Sequence, residues 1–226
     1  MKKLINIFLF MTLSLVADNE IYVDQTGNSA AIDLEQLGGS NLIGGTQATS
    51  GTMTALDLDG VSMILDINQI GASNVFRSDA IDGDNFTGFF EFTGDSNIFD
   101  ILVDSTGLID SDYINMNINI TGSSNTYDLA VAENDDASYL DLDWIITGDS
   151  NEFDFDIDYA NAINYVDVNG SSNTLNFSGS GYGGTTSSDS GYFYLDLDGS
   201  SNTIDVTQSS TLARDYLKII SNTSNS

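Results

Sequence analysis

The residues able to do chemistry in this chain are almost all carboxylates. Of 226 residues, 34 are Asp or Glu against 5 Lys or Arg, for a formal net charge of −29, and there is no His, Cys or Pro. Many acids alternate with apolar residues: Asp57 and Asp59; Asp141 and Asp143; Asp154, Asp156 and Asp158; Asp196 and Asp198. Such density suits calcium, which favours carboxylate and carbonyl oxygens, or the acid pair of a glycoside hydrolase. The sequence favours neither. No stretch matches an EF-hand loop or a Gly-Gly-x-Gly-x-Asp calcium repeat, and no acid stands in a setting distinct from the others. Without His, and without Lys in the repeats, acid–base catalysis lacks its usual partners. Without Cys there is no disulfide and no thiolate metal site. The expectation is a protein that is not an enzyme and carries no cofactor, with calcium only a weak candidate for bridging solvated acids. So negative a surface also disfavours nucleic acid and anionic lipid.

A second polar set recurs with stricter spacing. Gly38 and Asn41, Gly71 and Asn74, Gly94 and Asn97, Gly122 and Asn125, Gly148 and Asn151, Gly170 and Asn173, and Gly199 and Asn202 all form Gly-x-x-Asn. The Asn-to-Asn steps are 33, 23, 28, 26, 22 and 29 residues, so the variation sits in the connections. Two residues before the turn glycine stand Gln36 and Gln69 in the first two units, then Phe92, Ile120, Ile146, Val168 and Leu197.

The elements that must position these residues are strands. In Ile114–Val131, apolar Ile114, Met116, Ile118 and Ile120 alternate with Asn115, Asn117, Asn119 and Thr121; after the turn, Tyr127, Leu129 and Val131 continue the pattern. Each arm reads as a strand with one buried and one wet face, and Gly122 supplies the φ > 0 position of the turn. The Asn falls on the inward register. Units that recur with a constant core and elastic connections indicate a stacked repeat array.

Two architectures would bury the inward faces: a flattened solenoid with parallel in-register rungs about 4.8 Å apart, or antiparallel hairpins in a sandwich. The recurring inward Asn favours the solenoid. Stacked amides can bond along a ladder, whereas seven separate buried amides would cost about 1–3 kcal/mol each if unmet. The expected fold is all-β, a flattened parallel β-solenoid of about seven strand–turn–strand rungs with a C-terminal cap.

Residues 1–17 read as a signal peptide, with Lys2 and Lys3 ahead of an apolar run and a cleavage site after Ala17. Residues 18–210 form the repeat domain and 211–226 a C-terminal cap and tail, in which Leu212, Tyr216, Leu217 and Ile220 suggest a short helix or covering strand. After cleavage no membrane span is expected, and Arg77, Arg214 and Lys218 are the only positive side chains left.

At Gln36-Leu37-Gly38-Gly39-Ser40-Asn41 and Gln69-Ile70-Gly71-Ala72-Ser73-Asn74 the chain resembles the curlin repeat of bacterial curli subunits, a strand ending in Gln-x-Gly-x-x-Asn followed by a strand closing on another Gln. Gln47 stands as the closing Gln of the first; Gln25-Thr26-Gly27 matches only a first half, with Ala30 where the Asn belongs. The five later units keep Gly-x-x-Asn and lose the Gln. The resemblance implies Gln36, Asn41, Gln69 and Asn74 as core ladder residues. It also implies a secreted, amyloid-like subunit, self-associating end to end or with a related fibre subunit, in an adhesive extracellular fibre or biofilm matrix. The alternative reading is a phage or cell-surface fibre module that binds a glycan or receptor along its flank.

Overall fold

The computed structural model describes residues 20–44, 56–103, 113–131, 139–157, 161–180, 190–209 and 214–222. The signal-peptide segment and Gln47 lie outside them. One face of the molecule is built from β1 (Glu20–Ile21), β2 (Asp24–Thr26), β4 (Leu42–Ile43), β5 (Leu56–Asp59), β7 (Val75–Asp82), β9 (Ile98–Val103), β11 (Thr126–Val131), β13 (Glu152–Ile157), β15 (Thr174–Ser180) and β17 (Thr203–Ser209). The other face is β3 (Ala31–Leu37), β6 (Ile64–Ile70), β8 (Thr87–Thr93), β10 (Ile114–Thr121), β12 (Leu140–Thr147), β14 (Asn161–Asn169), β16 (Ser190–Asp198) and β18 (Arg214–Asn222).

The chain crosses from one face to the other at every Gly-x-x-Asn turn, so the two arms of each unit fall into separate sheets. The second sheet runs β3-β6-β8-β10-β12-β14-β16-β18 and the first runs from β1 to β17 in the same direction. All strand pairs among the described residues are parallel, and register is kept across the repeats, with Ile120 paired to Phe92 on one side and Ile146 on the other, except for a bulge between β5 and β7, where Leu56 pairs with Ser78 but Asp57 with Ala80. The described residues form a flattened parallel β-solenoid, with seven rungs joined through Gly-x-x-Asn and a half-rung at each end of the described chain.

Period-two patterning explains the burial. In β10 the exposure alternates along the strand, with Ile114, Met116, Ile118 and Ile120 buried and Asn115, Asn117, Asn119 and Thr121 outward. Both sheets point their apolar residues at each other, and one continuous core results. Its centre is aromatic: Phe99 stacks on Phe92 with centroids 3.7 Å apart, and Tyr127 stacks on Phe99 and Phe153 at 4.8 and 4.9 Å, close to the rung spacing. Each fully buried side chain of this kind contributes about 1.5–3 kcal/mol. Burial pushes the Tyr127 hydroxyl far above its ordinary pKa, so it stays protonated.

The C-terminal segment settles between its two expected forms as a strand. β18 adds to β16 in register, Phe193 beside Leu217 and Leu195 beside Ile219, and extends the sheet rather than folding across the end of the core.

Candidate functional site

The residues that make one rung recognise the next lie at the corner between the two sheets. Gly38, Gly71, Gly94, Gly122, Gly148 and Gly199 take φ between 113° and 146°, a region open to glycine alone. From the second rung on, close approach adds to the demand. A Cβ on Gly122 would lie 1.9 Å from the carbonyl oxygen of Gly94, and one on Gly148 1.9 Å from that of Gly122. Two residues on, Ser40, Ser73, Ser96, Ser124, Ser150, Ser172 and Ser201 adopt φ of 59–60°. The motif is therefore Gly-x-Ser-Asn. Reasoning from Gly and Asn alone misses the Ser, although it recurs in all seven turns.

The backbone at this corner reaches toward the following rung. Gly122 N–H donates to Thr147 C=O at 2.9 Å and Ser124 N–H to Asp149 C=O at 3.0 Å. At the Asn the acceptor changes: its N–H donates to the side-chain Oδ1 of the next rung's Asn. The chain of bonds runs Asn41 to Asn74, Asn97, Asn125, Asn151, Asn173 and Asn202 at 2.8–3.0 Å. The side-chain Nδ2 groups of Asn151, Asn173 and Asn202 donate back to the turn-glycine carbonyls of Gly122, Gly148 and Gly170, and those of Asn41 and Asn74 donate to Gly38 and Gly71 of their own turns. The ladder thus differs in form from a stack of amides bonded to one another. Its repeating link is backbone to side chain, supplemented at one step by an amide-to-amide bond from Asn125 Nδ2 to Asn151 Oδ1 at 3.0 Å.

Gln36 and Gln69 form a true side-chain link: Gln69 Nε2 donates to Gln36 Oε1 at 2.7 Å, both residues being buried. The link stops there because Phe92 is the next inward neighbour, leaving Gln69 Oε1 buried without a partner. Gln25 is half-buried and donates to Thr26 C=O.

Gly27–Ala30 is not a truncated copy of the Gln-x-Gly-x-x-Asn turn. It belongs to the opposite corner, above Gly60–Met63 and Gly83–Phe86. Gly27 N–H donates to Asp59 C=O and Gly60 N–H to Asp82 C=O, and Ser29, Ser62 and Asn85 hold φ of 58–61°. Here Ala30, Met63 and Phe86 fill the place that Asn takes at the first corner, turning apolar side chains to the core. The Gly-x-x-Asn spacing does not reveal this second stack, because the third residue after each of its glycines is Ala30, Met63 or Phe86 and not Asn.

The outward acids stack as the register dictates. Asp100, Asp128 and Asp154 stand on consecutive strands, as do Asp167 and Asp196. Arg77 pairs with Asp100 at 3.7 Å. Partial burial, then the neighbouring Asp196 and Asp198, raise the pKa of Asp167; burial, then Asp143, raise that of Asp141. Among the described residues no group of three or more acids is arranged to hold a metal ion.

An acid whose folded-state pKa is raised stabilises the fold below its ordinary range, and that stability is lost as pH rises through the raised value. The melting temperature, followed by circular dichroism, should therefore fall as pH rises above the ordinary aspartate range of about 4, and added salt should recover part of the loss at pH 7 by screening. A melting temperature that climbs with pH and ignores salt and calcium contradicts the stacking of these acids.

The two ends of the solenoid are open among the described residues. At one end β17 and β18 carry inward-facing Ile204, Leu217 and Ile219 with no further rung over them; Leu217 and Ile219 are 47% and 46% exposed, where their neighbours Phe193 and Leu195 are fully buried. At the other, β1 and β3 leave Ile21, Ile32 and Leu34 only partly covered.

Fold and ladder together define the class: a parallel β-solenoid whose rungs are pinned by a backbone-to-Asn ladder and whose architecture is consistent with curlin-like stacking. No protein-family model, no curated protein and no solved structure matches the chain.

Proposed function

We propose that this chain is a secreted structural protein whose copies stack end to end into an adhesive, curlin-like extracellular fibre, with no catalytic step. The observation that carries the reading is the complementarity of the two ends. The described chain starts with a half-rung in the first sheet and finishes with a half-rung in the second, so a second copy placed over β17 and β18 continues both sheets.

The register makes this specific. Leu37 and Asp198 occupy the same place before a turn glycine, and Asn222 pairs with Asp198. Carrying the repeat register one rung further sets Ile32 of the next copy over Leu217, Leu34 over Ile219 and Ile21 over Ile204. It also sets the next copy's Asp33 over Lys218, a basic residue in the outward column of β18. Burying half-exposed apolar side chains and completing a row of backbone hydrogen bonds is strand addition used constructively.

Negative-stain microscopy of the chain from residue 18 onward, with and without calcium, tests the reading. Filaments that bind amyloid dyes are expected. The double substitution Leu217→Asp with Ile219→Asp should leave a folded, soluble monomer, since each added charge would be buried at the junction. A wild-type chain that stays monomeric at high concentration refutes end-to-end growth and favours the flank-binding alternative.

A further inference from the structure

The outward face of the second sheet changes character over its last strands. Elsewhere it carries Asp, Asn, Glu and Thr with a few apolar residues, Leu37 beside Ile70 among them; across β14, β16 and β18 it carries Tyr165, Tyr192, Tyr194 and Tyr216. Tyr165 lies 5.7 Å from both Tyr192 and Tyr194, and Tyr192 stacks on Tyr216 at 4.8 Å. Between two columns of side chains lies a hollow of about 260 Å³, with Asp143, Tyr165 and Tyr194 along one side and Ile145, Asp167 and Asp196 along the other.

Three features define what fits there. The rings of Tyr165 and Tyr194 are tilted 53° to each other, forming a V that suits a compact, rounded group better than a flat sugar ring. The rim is anionic, and one carboxylate oxygen of Asp196 is closed off from solvent without a hydrogen-bond partner. The chain also displays the chemistry itself, since the Lys218 ammonium sits 4.7 Å from the centroid of Tyr194. Ring faces attract cations through their quadrupole, most strongly where water is partly excluded.

We propose that this hollow is a binding site for an organic ammonium group, held on the faces of Tyr165 and Tyr194 and neutralised by Asp143, Asp167 and Asp196. A bare divalent metal is a poorer fit, because Asp143, Asp167 and Asp196 do not converge as a metal-ligating group, none being found among the described residues. The site lies on the flank, spans β12, β14 and β16, and does not depend on end-to-end stacking.

Choline is the probe, with 3,3-dimethylbutan-1-ol as its neutral isostere. Titration calorimetry on the full chain should show saturable choline binding, with the isostere bound at least about tenfold more weakly. Tyr165→Ala should weaken choline binding by about tenfold, Tyr165→Phe by less than about threefold, and Asp167→Asn by an intermediate factor. Circular dichroism of each variant separates loss of binding from loss of fold. No saturable binding, equal binding of the isostere, or indifference to Tyr165→Ala in a folded variant each overturns the proposal.

Discussion

Gly122→Ala is expected to destabilise the solenoid severely, while Gly38→Ala is tolerated at a moderate cost. Both glycines hold a positive φ, 146° and 113°, so alanine at either meets backbone strain of about 1–3 kcal/mol. What differs is the neighbour. At Gly122 the new Cβ would stand 1.9 Å from the oxygen and 2.6 Å from the carbon of the Gly94 carbonyl, both backbone atoms fixed by the ladder; at Gly38 it would meet only the Asn41 amide nitrogen at 3.9 Å. The first cannot be relieved without separating two rungs. A loss of about 4 kcal/mol or more is expected there, at the far end of single-substitution effects. Urea unfolding of both variants measures the difference, and equal losses would mean that successive corners do not lie upon one another.

The second large effect belongs to Asn151→Leu. Its Oδ1 accepts the backbone N–H of Asn125 at 2.9 Å and the Nδ2 of Asn125 at 3.0 Å, and its own Nδ2 donates to Gly122 C=O at 3.1 Å. Leucine matches the volume and supplies none of these bonds. Buried donors left unmet cost about 1–3 kcal/mol each, so a total of about 2–5 kcal/mol is expected. Asn202→Leu removes a comparable pair of bonds, to Asn173 N–H and Gly170 C=O, but at a half-buried end where water can substitute, and should cost about 1 kcal/mol. Because Asn125 and Asn151 share bonds, replacing both by leucine should cost less than the sum of the single losses. Equal, negligible losses at positions 151 and 202 would mean that the amides were never buried.

Both effects trace to residues that the amino-acid sequence alone singles out. Alternation in Ile114–Val131 fixes which side chains turn inward, and an inward Asn that recurs beside a glycine requires a partner that only another copy of itself can regularly provide. What alternation leaves out is the direction of the bond. The sequence shows that Asn97 and Asn125 are equivalent; it does not show that the corner turns a backbone N–H toward the next rung and leaves the Oδ1 to receive it. The serine at φ near 60° is visible as a recurrent letter, but Ser is not the residue that steric reasoning assigns to that conformation, which Asn, Asp and Gly enter more readily. The corner at Gly27, Gly60 and Gly83 stays hidden for a related reason: its fourth position is apolar, so nothing polar marks it as a turn of the same kind. The tyrosine hollow depends on contacts between residues about thirty positions apart in sequence. It becomes apparent only when the register sets Tyr165 beside Tyr194.

The measurement that bears most directly on rung stacking is a through-hydrogen-bond scalar coupling in the 15N,13C-labelled chain, from the backbone amide nitrogen of Asn97 to the side-chain carbonyl carbon of Asn125. A resolved correlation there, repeated from Asn125 to Asn151 and accompanied by slow amide exchange, is the expected result. Rapid exchange of the Asn97 amide, or a correlation from it to a backbone carbonyl of an antiparallel neighbour, would contradict the ladder and the fold built on it.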